Sequence, residues 1–170
     1  MPSHLERLRS RLRDALAGAT AEAMLQAPPG KWNSEQILEH LLLSYTATTR
    51  GLEKCVEKGS PCATHSTLQQ RLATVVLINF GYFPDGAKSP PHALPRGMAP
   101  QEVRSVLFAE IDRMESAFDD CERHFGAATK IMDHPILGPL TVEQWRKFHF
   151  VHGRHHARQI RQRLKLRQEG

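Results

Sequence analysis

The sequence contains no long apolar run. Its uninterrupted apolar stretches, such as Leu41-Leu42-Leu43, are short, whereas a helix that crosses a bilayer needs about 20 consecutive apolar residues. The N-terminal stretch from Met1 to Leu16 intersperses arginine with leucine and has no apolar signal core. We therefore expect no membrane partner and a cytoplasmic location.

Cysteine is scarce and has no motif spacing. The three cysteines are Cys55, Cys62 and Cys121, an odd number, and no two of them show the two-residue spacing of a zinc or redox motif. We interpret them as reduced thiols in a reducing compartment.

The basic residues lack interleaved aromatic residues. The formal net charge is +5, and Lys and Arg concentrate at the two ends, from Arg7 to Arg13 and from Arg154 to Arg167. A protein that binds single strands interleaves such charges with aromatic side chains on which bases stack. Nucleic acid is therefore not the expected partner, and these charges are interpreted as the solvated surfaces of amphipathic helices.

The hydrophobic residues are sufficient for one helical domain. They make up 40% of the 170 residues, enough for the core of a single domain spanning residues 1–170. Their spacing is helical, with no strand-like alternation of useful length and no internal repeat. Five helices are predicted, at about Ser3–Ala17, Asn33–Lys58, Ser66–Phe80, Pro100–Phe125 and Thr141–Arg167. The expected fold class is all-α, as a four-helix bundle with one additional short helix.

Capping boxes mark most of the predicted helix starts. In this motif Ser, Thr or Asn is followed three residues later by Glu or Gln. The pairs are Ser3 with Glu6, Asn33 with Gln36, Ser66 with Gln69, and Thr141 with Gln144. The remaining helix opens with Pro100, which suits the first turn.

Two of the apolar patterns carry further expectations. The short third helix should bury a stripe made of Leu68, Leu72, Val75, Val76 and Phe80. The second helix carries Leu43 off its main stripe and is therefore expected to be apolar on more than one side, which favours an interface with a second copy.

Histidine is the unusual residue of this sequence, with ten copies. At about 100° per residue, His152 and His156 lie within about 40° of each other on the last helix, on the side that also carries Trp145, Phe148 and Ile160. A pair at this spacing can present two imidazole nitrogens to one metal ion. Several neutral imidazoles buried together need hydrogen-bond partners, and a shared metal ion would supply them.

His40 is the candidate for the third ligand, because it lies inside the second predicted helix. The residues above it on the same side are small, namely Ser44, Ala47 and Gly51. Small residues leave room for a ligand beside a metal ion, but they equally favour close packing of two helices. Both interpretations remain open at this point.

Three segments of the chain resemble a known family. They are Trp32 to Leu41, which contains His40; His134 to Trp145; and His152 to Ile160. Together they resemble the DinB-like superfamily, also called the YfiT-like metal-binding four-helix bundles, in a branch of domains of unknown function. The resemblance covers about Lys31 to Ile160.

The resemblance implies a metal site and, more broadly, a function. It implies a divalent metal ion held by His40, His152 and His156, and a homodimer. Zinc or nickel is the expected metal, with iron or manganese as alternatives, because all accept imidazole. Some members of the family are transferases or isomerases that use a low-molecular-weight thiol, which this chain would then use as well.

The expected function is that of a metal-dependent thiol transferase or hydrolase that acts on a small molecule. Three histidines plus an open coordination position are typical of a catalytic site. No catalytic residue can be assigned, although His149 could be a general base or a fourth ligand. His134 could contribute a polar group or simply mark the entry to the last helix beside Pro135. The alternative is a non-catalytic metal-binding or stress-response protein.

The segment from Gly81 to Ala99 is predicted to be a long loop, with prolines at 84, 90, 91 and 95. A loop of this length is often functional rather than a plain connector. We expect it to roof a pocket beside the histidines that is lined by Ser44, Ala47 or Gly51.

Overall fold

The chain is mostly helical in the computed structural model, which describes residues 2–81 and 88–165. Its α-helices are α1 (His4–Leu16), α2 (Ala21–Met24), α3 (Ser34–Lys58), α4 (Leu68–Thr74), α5 (Pro100–Phe125) and α6 (Val142–Lys165). A π-helical turn at Val75–Asn79 continues α4, and a 3₁₀ turn at Pro91–Ala93 precedes α5. The four long helices are the ones that the sequence predicts. The expected end of the last helix at Arg167 lies outside the described residues.

The capping boxes set the starts of the helices. Those of Ser3, Asn33 and Thr141 are formed as predicted, with each side-chain oxygen accepting from the backbone N–H three residues on. The predicted box of Ser66 and Gln69 is wrong by one residue. Thr67 caps α4, and Gln70 completes the box, because a threonine directly follows Ser66 and offers the same oxygen one residue later.

The long helices bury a common core. Helix α3 packs mainly against α5, and α1 packs against α6. The largest fully buried side chains come from α1, α3 and α5 together with Met24: Tyr45, Phe118, Leu5, Leu8, Leu12, Met24, Ile37, Leu38, Leu41, Leu52, Leu107 and Ile111. Trp145, Phe148 and Ile160 are buried as well, so the face assigned to the last helix is confirmed.

Helix α3 is buried on more than one side within the chain itself. Leu38 and Leu42 are both buried, as are the polar residues Glu35, Glu39 and Thr49. Leu43, on which the expected interface rested, is only half-buried, so packing within one chain accounts for the other apolar positions of α3 but not fully for this one.

Glycine permits the close approach of α6 to α1. A Cβ atom on Gly153 would lie 2.1 Å from Cδ1 of Leu8 and 3.0 Å from the hydroxyl of Tyr45. Any larger residue would push α6 away from α1 at the level of His152. The glycine thus fixes the depth at which the last helix sits.

The chain also forms a small antiparallel sheet, which was not expected from the sequence. Strands β1 (Lys130–His134) and β2 (Gly138–Thr141) pair between α5 and α6, with Met132 opposite Leu140. The strands are only five and four residues long, and β2 is buried at three successive positions, so neither shows a clear alternation. The indole N–H of Trp145 donates to the carbonyl of Met132 over 3.2 Å, which ties the sheet to α6.

The predicted buried stripe of the third helix is wrong. Leu68, Leu72, Val75, Val76 and Phe80 are all exposed, Phe80 by 78%. The α-helix ends at Thr74, and the next five residues form the π-helical turn. The apolar spacing is real, but no other element in the described part of the chain covers this face.

The predicted loop after Phe80 is only partly described. Residues 82–87, including Pro84, lie outside the described residues, whereas residues 88–99 include the 3₁₀ turn that packs on α3. Among the described residues, no helix is both long and apolar enough to span a membrane.

Candidate metal centre

Three histidines from two helices meet at one point. His40 lies on α3, and His152 and His156 lie one turn apart on α6. The Nε2 atom of His152 lies 3.1 Å from Nε2 of His40 and 3.1 Å from Nε2 of His156. The structure therefore brings together the three residues that the sequence singled out, with one nitrogen from each within 4.8 Å of the others.

The tautomers of two of these histidines are fixed by their other ring nitrogens. Nδ1 of His40 lies 2.7 Å from the backbone carbonyl of Ala93, which can only accept, so Nδ1 carries the proton. Nδ1 of His156 lies 2.9 Å from the amide oxygen of Gln159 and donates to it. In the neutral ring the opposite nitrogen is then an acceptor. Both Nε2 atoms therefore present lone pairs toward His152.

Burial keeps the three rings neutral. All three side chains are nearly inaccessible to solvent, and desolvation lowers the pKa of His40 and lowers that of His156 to about 3. Burial, followed by the neighbouring histidines, lowers the pKa of His152 well below its usual value. Neutral imidazole is the form that binds a metal ion, so this environment favours coordination over protonation.

Aromatic neighbours hold two of the rings in place. Phe148 stacks on His152 with centroids 5.5 Å apart and planes 13° apart. The ring of Trp32 lies against that of His40, with centroids 5.2 Å apart. These contacts restrict ring rotation, as is expected of a preformed site.

His149 lies outside this cluster. It is fully buried, and its Nε2 lies 3.0 Å from the hydroxyl of Thr48. It does not belong to the group of histidines that could share an ion in the described residues. Burial lowers the pKa of His149 to about 3, so it would hold a proton poorly at neutral pH. Neither expected role, fourth ligand or general base, is supported by this geometry.

A pocket of about 830 Å³ opens beside the three histidines. Ser44 and Ala47 of α3 line it, as predicted, but Gly51 does not, because it faces Met132. Residues 88–90 and 92–93 of the predicted loop line part of the pocket, which agrees with the expected roof for the described part of that loop. Residues of strand β1 and of the turn after it also line the pocket.

His134 contributes a polar group to this pocket. Its Nδ1 accepts from the backbone N–H groups of Ile136 and Leu137, over 3.1 and 3.2 Å. The proton must then reside on Nε2, so the neutral ring is a hydrogen-bond donor at its far side. Burial lowers the pKa of His134 to about 4, which keeps the ring neutral. The residue holds the turn between the two strands and does not begin α6.

Two groups that orient the ligands, Gln159 and the carbonyl of Ala93, were not expected from the sequence. Gln159 follows His156 by three residues, a spacing that places both on one face of a helix, and this signal could have identified it. The carbonyl of Ala93 comes from the segment before α5 and lies 53 residues from His40. No sequence pattern marks that contact.

The chain belongs to the DinB superfamily, whose family model matches residues 4–160. The match spans α1 to most of α6 and includes all three clustered histidines. No curated protein and no solved structure matches the chain.

Proposed function

We propose that this protein binds one divalent metal ion through Nε2 of His40, His152 and His156, and that its four long helices form a four-helix bundle around the site. The observation that carries the proposal is the orientation of the ring nitrogens. His40 and His156 both donate through Nδ1 and both aim an Nε2 lone pair at the same place. Three buried neutral imidazoles without a cation would leave lone pairs facing one another.

The residues fit a metal ion with open coordination positions. Three histidine ligands with one position left for water or substrate are typical of catalytic zinc, and closed structural sites have four protein ligands. The His149 ring, which the sequence offered as a fourth ligand, forms a hydrogen bond with Thr48 instead. Zinc or nickel is the proposed metal, with iron or manganese as alternatives.

We further propose that the protein is a metal-dependent enzyme, a thiol transferase or a hydrolase, which acts on a small molecule in the pocket. A bound metal ion would supply Lewis acidity, which polarises a carbonyl group or makes water or a thiol a stronger nucleophile. A low-molecular-weight thiol is the proposed co-substrate of the transferase.

The residues of the chain itself would position the substrate. Nε2–H of His134 supplies a fixed donor for a substrate oxygen, and Phe148 and Trp145 hold its ring from the sides, with centroids 4.4 and 5.5 Å away. The apolar walls exclude water, which strengthens hydrogen bonds inside the pocket. A non-catalytic metal-binding or stress-response protein is the alternative, favoured because no catalytic acid–base residue can be assigned beside the three histidines.

Calorimetric titration with zinc and nickel tests the metal site. Chelator-treated protein should bind one ion per chain, and His156→Ala should lose this binding, because two imidazoles seldom hold an ion. His124→Ala, which removes an exposed histidine on α5, is the matched control and should bind like the parent. Equal binding by both variants would contradict the proposed ligands.

Activity is tested separately on the metal-loaded protein. A screen would pair low-molecular-weight thiols with electrophiles, and would include esters and amides as hydrolysable substrates. Turnover that requires the metal and is lost in His156→Ala supports the enzyme. Stoichiometric metal binding without any turnover in a broad screen favours the non-catalytic alternative.

A further inference from the structure

Arg163 is a half-buried guanidinium group near the histidines, and no carboxylate among the described residues pairs with it. Its Nε donates to the carbonyl of Trp32 over 2.5 Å, and its Nη1 donates to the carbonyl of Gln159 over 3.1 Å. None of the ion pairs in the described residues includes it. Two of its five N–H groups are thus used by neutral carbonyls, and three remain on Nη1 and Nη2.

Within residues 2–81 and 88–165, no ion pair compensates this positive charge. Burial lowers the pKa of Arg163, which reflects the cost of removing a charge from water. Arginine nevertheless stays charged in proteins. The two carbonyl groups hold the guanidinium in one orientation, so an anion would find its donors already arranged.

Arg163 lies on the same helical face as the clustered histidines. It follows His156 by seven residues, which is nearly two full turns of α6 and about 10 Å along the axis. Gln159, which orients His156, lies between them. Arg163, His152 and His156 all line the same pocket, so an anion bound at Arg163 would extend toward the site of the proposed metal ion.

The pocket that contains Arg163 and the three histidines has mainly apolar walls together with several basic side chains. Its walls include the side chains of Trp32, Ala93, Leu137 and Phe148. Lys31 and Lys88 also line it. Among the described lining residues Asp133 is the one carboxylate, and its two oxygens accept from the backbone N–H and the hydroxyl of Thr64. The lining therefore complements a molecule with an apolar body and a negative end.

We propose that the pocket binds a small amphipathic carboxylate, with its carboxylate on Arg163 and its apolar body against the walls that lead to the three histidines. Two parallel N–H groups of a guanidinium match the two oxygens of a carboxylate. As a statement about the substrate class, this assignment rests on the proposed enzymatic function. The binding of the carboxylate itself requires no metal ion.

The test compares two ligands that differ only in the group at one end, which is a carboxylate in one and a neutral amide in the other. Calorimetry on chelator-treated protein would measure the Kd of 4-phenylbutanoate and of its uncharged amide, 4-phenylbutanamide. The carboxylate should bind about tenfold more tightly or better, since a charged hydrogen bond contributes to this extent. Arg163→Gln should remove the preference. Arg158→Gln, the same charge change at an exposed residue of α6, should keep it.

A second variant guards against loss of the fold. Arg163→Lys keeps the charge without the paired N–H groups, and it should retain a reduced preference for the carboxylate. Circular dichroism would establish that each variant is folded. Equal affinities for acid and amide in the parent protein, or a preference that survives Arg163→Gln, would overturn the proposal.

Repeating the titrations after zinc loading separates this proposal from the metal site. A carboxylate preference that appears only with zinc and survives Arg163→Gln would place the anion on the metal ion. The assignment to Arg163 would then be wrong, although the proposed metal site would stand. If instead the carboxylate preference depends on Arg163 and the protein binds no metal ion, the assignment to Arg163 would stand and the proposed metal site would be wrong.

Discussion

Nε2 of His40 lies 3.1 Å from Nε2 of His152, although 112 residues separate the two in the chain. His156 approaches the same nitrogen over the same distance from one turn further along α6. His40 and His156 have no proton on Nε2, because Nδ1 carries it in each ring. The only proton available between the three rings is one on Nε2 of His152, and it would face the Nε2 lone pairs of both His40 and His156. A divalent cation among the three nitrogens would satisfy all of them.

Replacing Gln159 with leucine should weaken metal binding without removing a ligand. The leucine cannot accept from Nδ1–H of His156, so the ring loses the bond that fixes its tautomer. Loss of such an outer contact lowers metal affinity about 10- to 100-fold. Competition against a fluorescent zinc chelator would measure the change. Gln159→Glu retains an acceptor oxygen and should keep affinity near that of the parent, and an unchanged affinity in the leucine variant would argue against this role.

Gly153→Ala should destabilise the fold although alanine favours helices. The added Cβ would lie 2.1 Å from Cδ1 of Leu8. Because Leu8 is fully buried, its side chain has no free space into which it could move. Overpacking of this kind costs about 1–3 kcal/mol. Urea unfolding would measure the free energy. In the comparison variant Gly51→Ala, the new atom would meet the flexible end of Met132, and a smaller loss is expected. A larger loss there would count against the packing argument.

Replacing His134 should show that its ring closes the turn between the strands. His134→Ala leaves the N–H groups of Ile136 and Leu137 without their acceptor, at a cost of about 0.5–1.5 kcal/mol. His134→Asn places an amide oxygen near the former Nδ1 and should restore most of that stability. Thermal unfolding of both variants provides the measurement, and equal losses would indicate that the ring matters only for packing.

The metal-free protein should lose stability in mild acid. Burial lowers the pKa of His134 to about 4 and that of His149 to about 3, against about 6.5 in an unfolded chain. Between these values the unfolded state binds more protons, so stability is complete above pH 6.5 and declines as the pH falls toward 4. Urea midpoints at pH 7.5, 6.0 and 5.0 would reveal the decline.

His134→Asn should make this pH dependence shallower, because one of the groups that titrate differently in the two states is gone. His124→Asn, which changes an exposed histidine, is the control and should leave it as in the parent. A urea midpoint that stays constant from pH 7.5 to 5.0 in the parent would contradict the buried neutral state of these rings.

Ala47→Leu should spare the metal site and restrict the pocket. Ala47 is a residue of α3 that lines the pocket, and it is not one of the three proposed metal ligands. The larger residue should leave the zinc affinity unchanged and raise the Kd of 4-phenylbutanoate several-fold. Titrations with both ligands would test this, with Ala47→Ser as the control of similar size. If the leucine variant bound the carboxylate like the parent, the ligand would have to bind elsewhere.

The helical period alone predicts much of the site. The four-residue spacing of His152 and His156 places them on one face of α6, and the same face carries Trp145 and Ile160, both of which are buried. The sequence leaves two interpretations open for His40, because the small residues above it suit either helix packing or a pocket. Both interpretations apply in the structure, because Ala47 lines the pocket whereas Gly51 packs closely against Met132.

Other features depend on tertiary structure that local patterns do not encode. Leu68 and Leu72 have the spacing of a buried stripe, but spacing cannot reveal whether another element covers them. The bond from His40 to Ala93 joins two distant segments. Strand β1 has a mixed burial pattern, so neither strand nor helix stands out from sequence.

The expected homodimer stays a prediction. It rests on the family resemblance and on Leu43, which lies off the main apolar stripe of α3 and is only half-buried within one chain. Light scattering would determine the mass in solution, and a species near 19.2 kDa would identify a monomer.

The most direct test of the central claim is anomalous diffraction from zinc-loaded crystals, recorded on both sides of the zinc absorption edge. We expect one peak per chain, about 2.0–2.1 Å from Nε2 of His40, His152 and His156, with at least one coordination position facing the pocket. A peak bound by other side chains, or no peak among these three nitrogens, would contradict the metal site. A fourth protein ligand on the ion would contradict the proposed enzymatic function, because closed sites of this kind are structural, but it would leave the proposed metal site standing.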